Sequence, residues 1–502
     1  MTATLVELSG WRRIAGRLWA DATSEQRDRT LRVLSVSVPA AVMAVIGFLG
    51  ASTPGMWADE LATWVLATAP LDEMLRVLKN ADASIGPYYL FIQAWVRVFG
   101  ESELAMRAPS VLAMAGATAL IVALGTRLAE RKVGVIAGLL FALLPAVSRF
   151  AHEARPYALA VFFATLSTYL LIRFLDRPSI PGLAFYSVAV LLLGLAHFVA
   201  LLLLAAHGLT VLSMRRKLIW RWLAATAVAL AAISPLLYIG QRQRGQIAWI
   251  PELTGLRLFQ TPPVLTGSAL LGGMLLVLAF LAVSWRGPAL VCTLWAVLPT
   301  VGLGLISLVA PMWLPRYLMF TLPAWVLLAV MALSRLRIQR GAVLVTVAAI
   351  LVLYEQIQIR ETTGHTQDSR AVGTVLNQHA GPSDAIVYGR FDEDFSPRLA
   401  VARYTDAAHR PKDVLVEVPP ATNGRFRAVE CSSADKCLGD PDRIWVVRSG
   451  NRSDALAGLG KDRETLLREG YVTEKTWSMA GFTMALLTRK AVPAASGAIL
   501  KG

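Results

Sequence analysis

Hydrophobic positions fall in long runs with almost no charge, separated by short clusters rich in Arg, Lys and Asp. About 20 apolar residues at 1.5 Å rise cross ~30 Å of hydrocarbon as a helix, so each such run predicts a membrane span. Eleven are predicted, near 34–51, 109–127, 133–149, 156–175, 183–196, 198–214, 220–239, 267–285, 289–309, 317–334 and 341–354. The stretch 183–214 reads either as one long helix or as a hairpin around His197. A long first loop, 52–108, carries two further helical patterns. Leu61, Trp64, Val65, Leu71, Leu75 and Leu78 follow one 3.6-residue period, and Tyr88, Phe91, Ile92, Trp95 and Phe99 follow another. Their apolar, aromatic-rich faces suit helices lying at the bilayer surface. A second long loop spans 240–266.

Beyond residue 355 the pattern changes. Short β-type runs (AIVYG, DVLVEV, RIWVVRS, FTMALLT) alternate with helical or turn segments such as SRAVGTVLNQHAG and KDRETLLREG. That pattern predicts a small α/β domain of roughly 140 residues. The expected fold class is therefore an α-helical polytopic membrane protein with a C-terminal α/β domain. Its parts are an N-terminal segment, 1–33, a transmembrane domain, 34–354, and the tail, 355–502.

Composition agrees. Of 502 residues 55% are hydrophobic and 17% charged, against roughly 25% charged in a soluble domain. A disordered chain is excluded and an ordinary cytosolic enzyme is disfavoured. The net charge of +15 raises the question of nucleic acid, but the excess lies in the hydrophobic part. Residues 34–354 hold 23 basic and 11 acidic residues, and residues 355–502 hold 20 and 19. This pattern fits membrane topology rather than a nucleic-acid-binding arm. Placing RLAERK (127–132), RFLDRP (173–178), MRRKLIWR (214–221), Trp285-Arg286, SRLRIQR (334–340) and the N-terminal segment inside puts 19 Lys or Arg there. The opposite loops before residue 355 then hold about 10. With an odd number of spans the tail lies outside. Nothing at the N-terminus reads as a cleaved signal peptide, and SGWRRIAGRLWA suits the cytoplasmic membrane surface. Cys292 sits in an apolar run as a small core residue. Cys431 and Cys437, six apart, suit a disulfide if the tail is extracytoplasmic; a zinc pair is the weaker alternative, with no His nearby in sequence.

The most informative cluster is MWADELATW. Asp59 and Glu60 are adjacent carboxylates at a membrane face, where ionisable groups are costly and usually functional. Adjacent helical residues point about 100° apart, so one acid can act as a base while the other orients a neighbour. The alternative is a solvated helix N-terminus, where acids suit the dipole. In RFAHEARPYALA, His152, Arg155 and Tyr157 stand at a helix entrance opened by Pro156. A permanently charged guanidinium there suits a phosphate, or a lipid headgroup, or a pair with Glu153. Arg316 and Tyr317 open the tenth span, and Arg107 and His197 share that level, whereas Arg242 and Arg244 suit headgroups and His207 a structural role. A lone His is more often structural than catalytic. No Gly-rich phosphate loop, metal-spaced cluster or internal repeat is present in the sequence. Together these residues suit one chemistry: a carboxylate takes a proton from a hydroxyl while Arg stabilises a departing phosphate.

The Asp-Glu pair in a long first loop, the ARPYAL segment, the PRY entrance and the many spans resemble the GT-C glycosyltransferase superfamily. The closer likeness is to protein O-mannosyltransferases and aminoarabinose transferases, including actinobacterial members, and covers about residues 30–340. The resemblance implies a polyprenyl-phosphate sugar donor and inverting transfer on the extracytoplasmic side of a bacterial plasma membrane. The acceptor would be an envelope glycan, glycolipid or protein. It implies Asp59 as general base and Glu60 supporting it or meeting the acceptor. Arg155, helped by Arg316, would hold the donor phosphate. A divalent ion occurs in some relatives, and this sequence offers no convincing ligand set for one. The Ala-, Arg- and Val-rich usage points to a high-GC bacterium and to mannan or arabinan acceptors. The competing reading is a transporter or flippase of a lipid-linked sugar; a third is a scaffold acting through its tail.

Overall fold

The structure, a computed structural model, describes residues 24–334, 338–389 and 395–491. The predicted surface segment at 9–20 lies outside the described residues. Helix α1 is Ser24–Phe48, α2 Ala58–Thr68, α3 Leu71–Asn80, α4 Gly86–Phe99 and α5 Glu103–Leu128. Next come α6 Arg131–Leu143, α7 Pro145–Ala151, α8 Tyr157–Asp176, α9 Ile180–Ala196, α10 Leu203–Arg215 and α11 Ile219–Arg242. They are followed by α12 Gly255–Thr266, α13 Ala269–Ala282, α14 Ala289–Ser307, α15 Leu322–Ala332, α16 Ile338–Leu351 and α17 Leu353–Gln358.

Each of the eleven predicted segments falls on helix, but the helices are less uniform than the hydropathy. Among the described residues six helical stretches are long and apolar enough to cross a membrane, or up to eight if each bent pair is one span. The bent pairs are α6 with α7, turned by 66°, and α12 with α13, turned by 100°. Phe198–Arg242 counts as one 45-residue apolar stretch, yet Arg215 has φ −150° and ψ 59° and divides α10 from α11. The ambiguity at 183–214 resolves as a break: His197 is extended, with φ −159° and ψ 101°, and ends α9. Helix α1 starts at Ser24, ten residues before its apolar run, because its polar first turns extend the helix beyond the apolar stretch.

Helices α1, α5 and α6 pack tightly, helped by small residues. A Cβ on Gly125 would lie 2.7 Å from Gly134 Cα, so α5 and α6 approach backbone to backbone. Deep in the bundle His207 is fully satisfied. It contacts Tyr186 Oη and Thr168 Oγ1, each at 3.0 Å, and Trp222 Nε1 donates to Tyr186 Oη at 2.8 Å. That network gives His207 the structural role expected of it.

The long first loop holds three helices rather than two. The pattern over 61–78 spans both α2 and α3, and Pro70, lacking a donor N–H, separates them. The tail helices are α18 Ser369–His379, α19 Ser396–Tyr404, α20 Pro420–Asn423, α21 Ala434–Leu438 and α22 Lys461–Gly470. Its strands are β1 Ala385–Tyr388, β2 Lys412–Asp413, β3 Val416–Val418, β4 Val429–Glu430, β5 Arg443–Ser449, β6 Tyr471–Met479 and β7 Phe482–Arg489. Five form one sheet in the order β2-β1-β5-β7-β6, parallel across β2-β1-β5 and antiparallel beyond. DVLVEV divides into β2 and β3, and β6 went unpredicted because it is an exposed edge strand with charges. Cys431 and Cys437 form a disulfide, and Cys292 is a buried free thiol.

The tail is not a separate body. Met56, Leu61, Tyr89 and Met106 share one buried cluster with Val372, Ile386, Trp445 and Met484. The tail domain and the first loop therefore share a hydrophobic core, and that shared core fixes the face on which the candidate site lies.

Candidate active site

The site forms where α2, the 152–156 turn and the 3-10 segment Pro315–Thr321 meet. Asp59, in the first turn of α2, is partly open, with 25% of its side chain exposed. Its Oδ2 lies 3.9 Å from Arg155 Nε and 3.9 Å from Arg316 Nη2. Three segments remote in sequence thus bring one carboxylate and two guanidiniums together.

Each arginine is braced from behind. Arg155 Nη1 donates to Tyr89 Oη at 2.9 Å, and Tyr89 Oη donates to Asp82 Oδ2 at 2.8 Å. Asp82 adopts φ +54°, a left-handed conformation uncommon outside glycine. The second loop secures it: Gln246 Oε1 accepts from Asp82 N and Gln243 Oε1 from Ala83 N, both at 2.9 Å. Burial raises the Asp82 carboxyl pKa above its ordinary value. Arg316 sits among Trp57, Tyr157 and Trp249, its guanidinium carbon 5.5–5.9 Å from the ring centroids. Tyr317 and His197 pack beside it, with ring centroids 5.0 Å apart.

Four buried nitrogens at this level have no hydrogen-bond partner: Nε of Arg155, Nε of Arg316, Nε1 of Trp57 and Nδ1 of His197. Buried polar groups are normally paired. At least three of the four are donors, so the cluster is chemically suited to an anion.

Glu60 and Arg107 do not join that cluster. Glu60 is fully buried; its oxygens accept from Arg107 Nε at 2.8 Å and Nη2 at 2.7 Å, and from Ala154 N at 2.9 Å. Arg107 also reaches the carbonyls of Ala51, Pro54 and Gly55 at 2.6, 2.9 and 3.1 Å. His365 Nδ1 lies 3.4 Å from Glu60 Oε2. Burial opposes ionisation of Glu60, but Arg107 outweighs it and holds the carboxyl well below the usual carboxylate range. The buried pair ties α2, the first loop and the 152–156 turn together.

His152 is likewise displaced from the expected phosphate site. It is wholly buried among Arg360, Arg107 and Arg149, and burial pushes its pKa down to about 3, leaving it neutral. Glu153 pairs with Arg149 at 3.0 Å, not with Arg155, and burial raises its pKa to about 7. Of the residues expected at the site, the structure brings together Asp59, Arg155, Tyr157, Arg316, Tyr317 and His197. Among the described residues no group of three or more His, Cys, Asp or Glu could hold a metal. Glu60 and Asp82, the acids flanking the site, are engaged by Arg107 and Tyr89.

Sequence reasoning missed Asp82, Tyr89, Trp57, Trp249 and His365. Asp82 alone carried a readable signal, as the one acid in the linker 79–87 between the two surface patterns. The others are ordinary apolar-face or tail residues until the chain is folded.

Residues 86–239 match the family model described as dolichyl-phosphate-mannose-protein mannosyltransferase. No curated protein matches the chain. Among solved structures, ArnT from Cupriavidus metallidurans in the apo state superposes with a TM-score of 0.60 at 14% identity, covering 89% of this chain and 97% of ArnT. The same protein bound to undecaprenyl phosphate gives a TM-score of 0.60 at 14% identity, over 90% and 97%. The archaeal oligosaccharyltransferase AglB from Archaeoglobus fulgidus, in complex with an inhibitory peptide and a dolichol-phosphate, gives 0.50 at 11% identity, over 84% and 70%. At 84–90% of the chain, these likenesses reach into the tail as well as the helices. The chain is a multi-pass membrane protein with the fold of ArnT, and the segment that matches the mannosyltransferase family model contains Tyr89, Arg107, Arg155, Tyr157 and His197.

Proposed function

We propose that this protein is an integral-membrane glycosyltransferase. It moves one sugar, mannose or a pentose such as arabinose, from a polyprenyl-phosphate donor to a hydroxyl of an envelope glycan, glycolipid or protein. The reaction takes place on the extracytoplasmic side of a bacterial plasma membrane. The observation that carries this reading is Asp59 Oδ2 at 3.9 Å from two guanidiniums whose Nε donors are otherwise unpartnered.

Asp59 accepts the proton of the acceptor hydroxyl as its oxygen attacks the sugar C1. The C1–O bond to phosphate breaks, and polyprenyl phosphate leaves with the electron pair, inverting the anomeric centre. Arg155 and Arg316 neutralise the charge on the leaving phosphate, with Nε donors that have no other hydrogen-bond partner. Tyr157, Tyr317 and His197 wall the pocket. An apolar cavity of about 220 Å³ lies between α12, α13, α15 and the 3-10 segment that carries Arg316, lined among others by Leu258, Leu265, Trp313, Leu318 and Trp325. A dry void of ~150 Å³ already takes up benzene, so this one has room for part of an isoprenoid. Trp313 and Leu318 flank Arg316 in sequence, which leads the lipid toward the phosphate site. The family match over 86–239 and the undecaprenyl-phosphate complex of ArnT support the same donor class.

The test uses the full-length protein in nanodiscs with radiolabelled polyprenyl-phosphate mannose or polyprenyl-phosphate arabinose and an envelope extract as acceptor. Wild type should consume one donor, and Asp59→Asn should turn over about 10²–10⁴-fold more slowly. Full turnover by Asp59→Asn would refute the assigned base. Donor that crosses vesicle membranes without being consumed would make the protein a transporter.

A further inference from the structure

The loop before Asp59 lacks the usual means of holding itself. Trp57 is the N-cap of α2 and supplies no side-chain cap, so the first amide of that helix, Ala58 N, takes its acceptor from elsewhere. That acceptor, like the partners of the loop before it, comes from the tail. Gln367 Oε1 accepts from Ala58 N at 2.8 Å, and Tyr404 Oη from Met56 N at 2.9 Å. Ser369 Oγ donates to Met56 O at 2.6 Å, while Arg370 donates to Thr53 O at 3.2 Å and Ser52 O at 3.0 Å. With His365 against Glu60, one short strap, 365–370, follows the loop 52–60 almost residue for residue.

The strap is itself held rigidly. Thr366 has φ +68°, a position that β-branched residues rarely occupy and keep only when their surroundings enforce it. Asp368 N donates to Ala480 O at 2.8 Å, in the β6–β7 turn. At Gly481, with φ +74°, a Cβ would lie 2.7 Å from Gln367 Cγ, so that turn closes directly on the Gln367 side chain. The sheet backs the strap, the strap caps α2, and Asp59 is the next residue.

We infer that Gln367 is a positioning residue for the transfer reaction: through the Ala58 amide it fixes the first turn of α2 and thereby aims the Asp59 carboxylate. The inference assigns the tail domain a part in the active site, and its catalytic consequence rests on the proposal that Asp59 is the base. Gln367→Ala removes the acceptor. Gln367→Glu keeps a carboxyl oxygen at a helix N-terminus, where negative charge is favoured, and serves as the conservative rescue.

Two readouts separate the inference from the reading beneath it. Hydrogen exchange on the peptide covering residues 56–62, in full-length protein in nanodiscs, needs no substrate. Gln367→Ala should exchange there roughly fivefold to tenfold faster than wild type, as expected for loss of one helix cap. Gln367→Glu should restore protection, and peptides from β5 and β7 should be unchanged in both. Turnover of whichever labelled donor the wild type consumes should then show kcat lowered on the order of tenfold to a hundredfold in Gln367→Ala. KM for the donor should be nearly unchanged, and Gln367→Glu should recover. Wild-type exchange in peptide 56–62 of Gln367→Ala, or undiminished kcat, overturns the inference. A wild type that consumes neither donor counts against the transferase reading, while the exchange result still decides whether Gln367 holds the turn.

Discussion

The buried Glu60–Arg107 pair supplies the sharpest test of which acid does what. Arg107 has five oxygen partners, two from Glu60 and the carbonyls of Ala51, Pro54 and Gly55. Glu60→Gln keeps a similar shape but leaves that guanidinium buried without a counter-charge. Breaking one partner of a buried ion pair costs about 3–5 kcal/mol. At about 2.1 cal/mol/K of unfolding entropy per residue, a body of this size shifts by roughly 1 °C per kcal/mol, so the melting temperature should fall by about 3–5 °C. Cys292 makes the assay convenient, being a buried free thiol while Cys431 and Cys437 are bonded to each other. A thiol-reactive fluorogenic dye in detergent will report its exposure as the bundle opens. The double variant Glu60→Gln/Arg107→Met removes both charges and should recover more than half of the loss, since well-packed apolar replacements of buried pairs are often near neutral. The contribution has a definite pH sense. With its folded pKa depressed, Glu60 stabilises fully above the ordinary carboxylate value of about 4.5, and that stability is lost as pH falls below it. A Glu60→Gln protein that melts within a degree or two of wild type, yet loses turnover as Asp59→Asn does, would refute this reasoning and place Glu60 in the chemistry.

Two further outcomes follow from the same geometry. Glu153, raised by burial to about 7, binds more protons folded than unfolded between about 4.5 and 7, so its contribution declines as pH rises through that window; Glu153→Gln should remove this slope, read as the difference in melting temperature between pH 5 and pH 8. Tyr89→Phe removes the link between Arg155 and Asp82 and leaves a buried carboxyl without its donor. About 1–3 kcal/mol of stability should be lost, and donor KM should rise roughly tenfold if Arg155 holds the phosphate, measured by donor titration; unchanged KM would show that Arg155 needs no brace.

The helical bundle was legible because each span is a local pattern of apolar run length, and eleven such runs fall on helix. The breaks within them were less so. The 100° turn between α12 and α13 is set by packing around Gly267, at φ +78°, and run length carries no trace of it. At the site, the divergence of Asp59 and Glu60 could be read from helix geometry alone. Which of the two would be buried could not, since that depends on Arg107, 47 residues away. His152 was expected beside Arg155 from its spacing, but the turn at 152–156 is not a regular helix and the two side chains part company. The relation of Asp82 and Tyr89 to Arg155 needed the fold, since it spans three segments. In the tail, alternating runs predicted the buried strands, whereas β6 shows a solvent-facing edge and reads as a polar segment.

The strap also sets an order of events in biosynthesis. Ala58 and Gln367 are separated by 309 positions, and Met56 and Tyr404 by 348. At roughly 5–20 residues per second, the first loop emerges some 15–60 s before the residues that cap it. Through that interval α2 is an unanchored eleven-residue helix, below the length at which isolated helices persist in water. A nascent or prematurely terminated chain therefore carries Asp59, Arg155 and Arg316 in an unfinished arrangement. Completion of the last hairpin, which closes Gly481 onto Gln367, is the step that finishes the site.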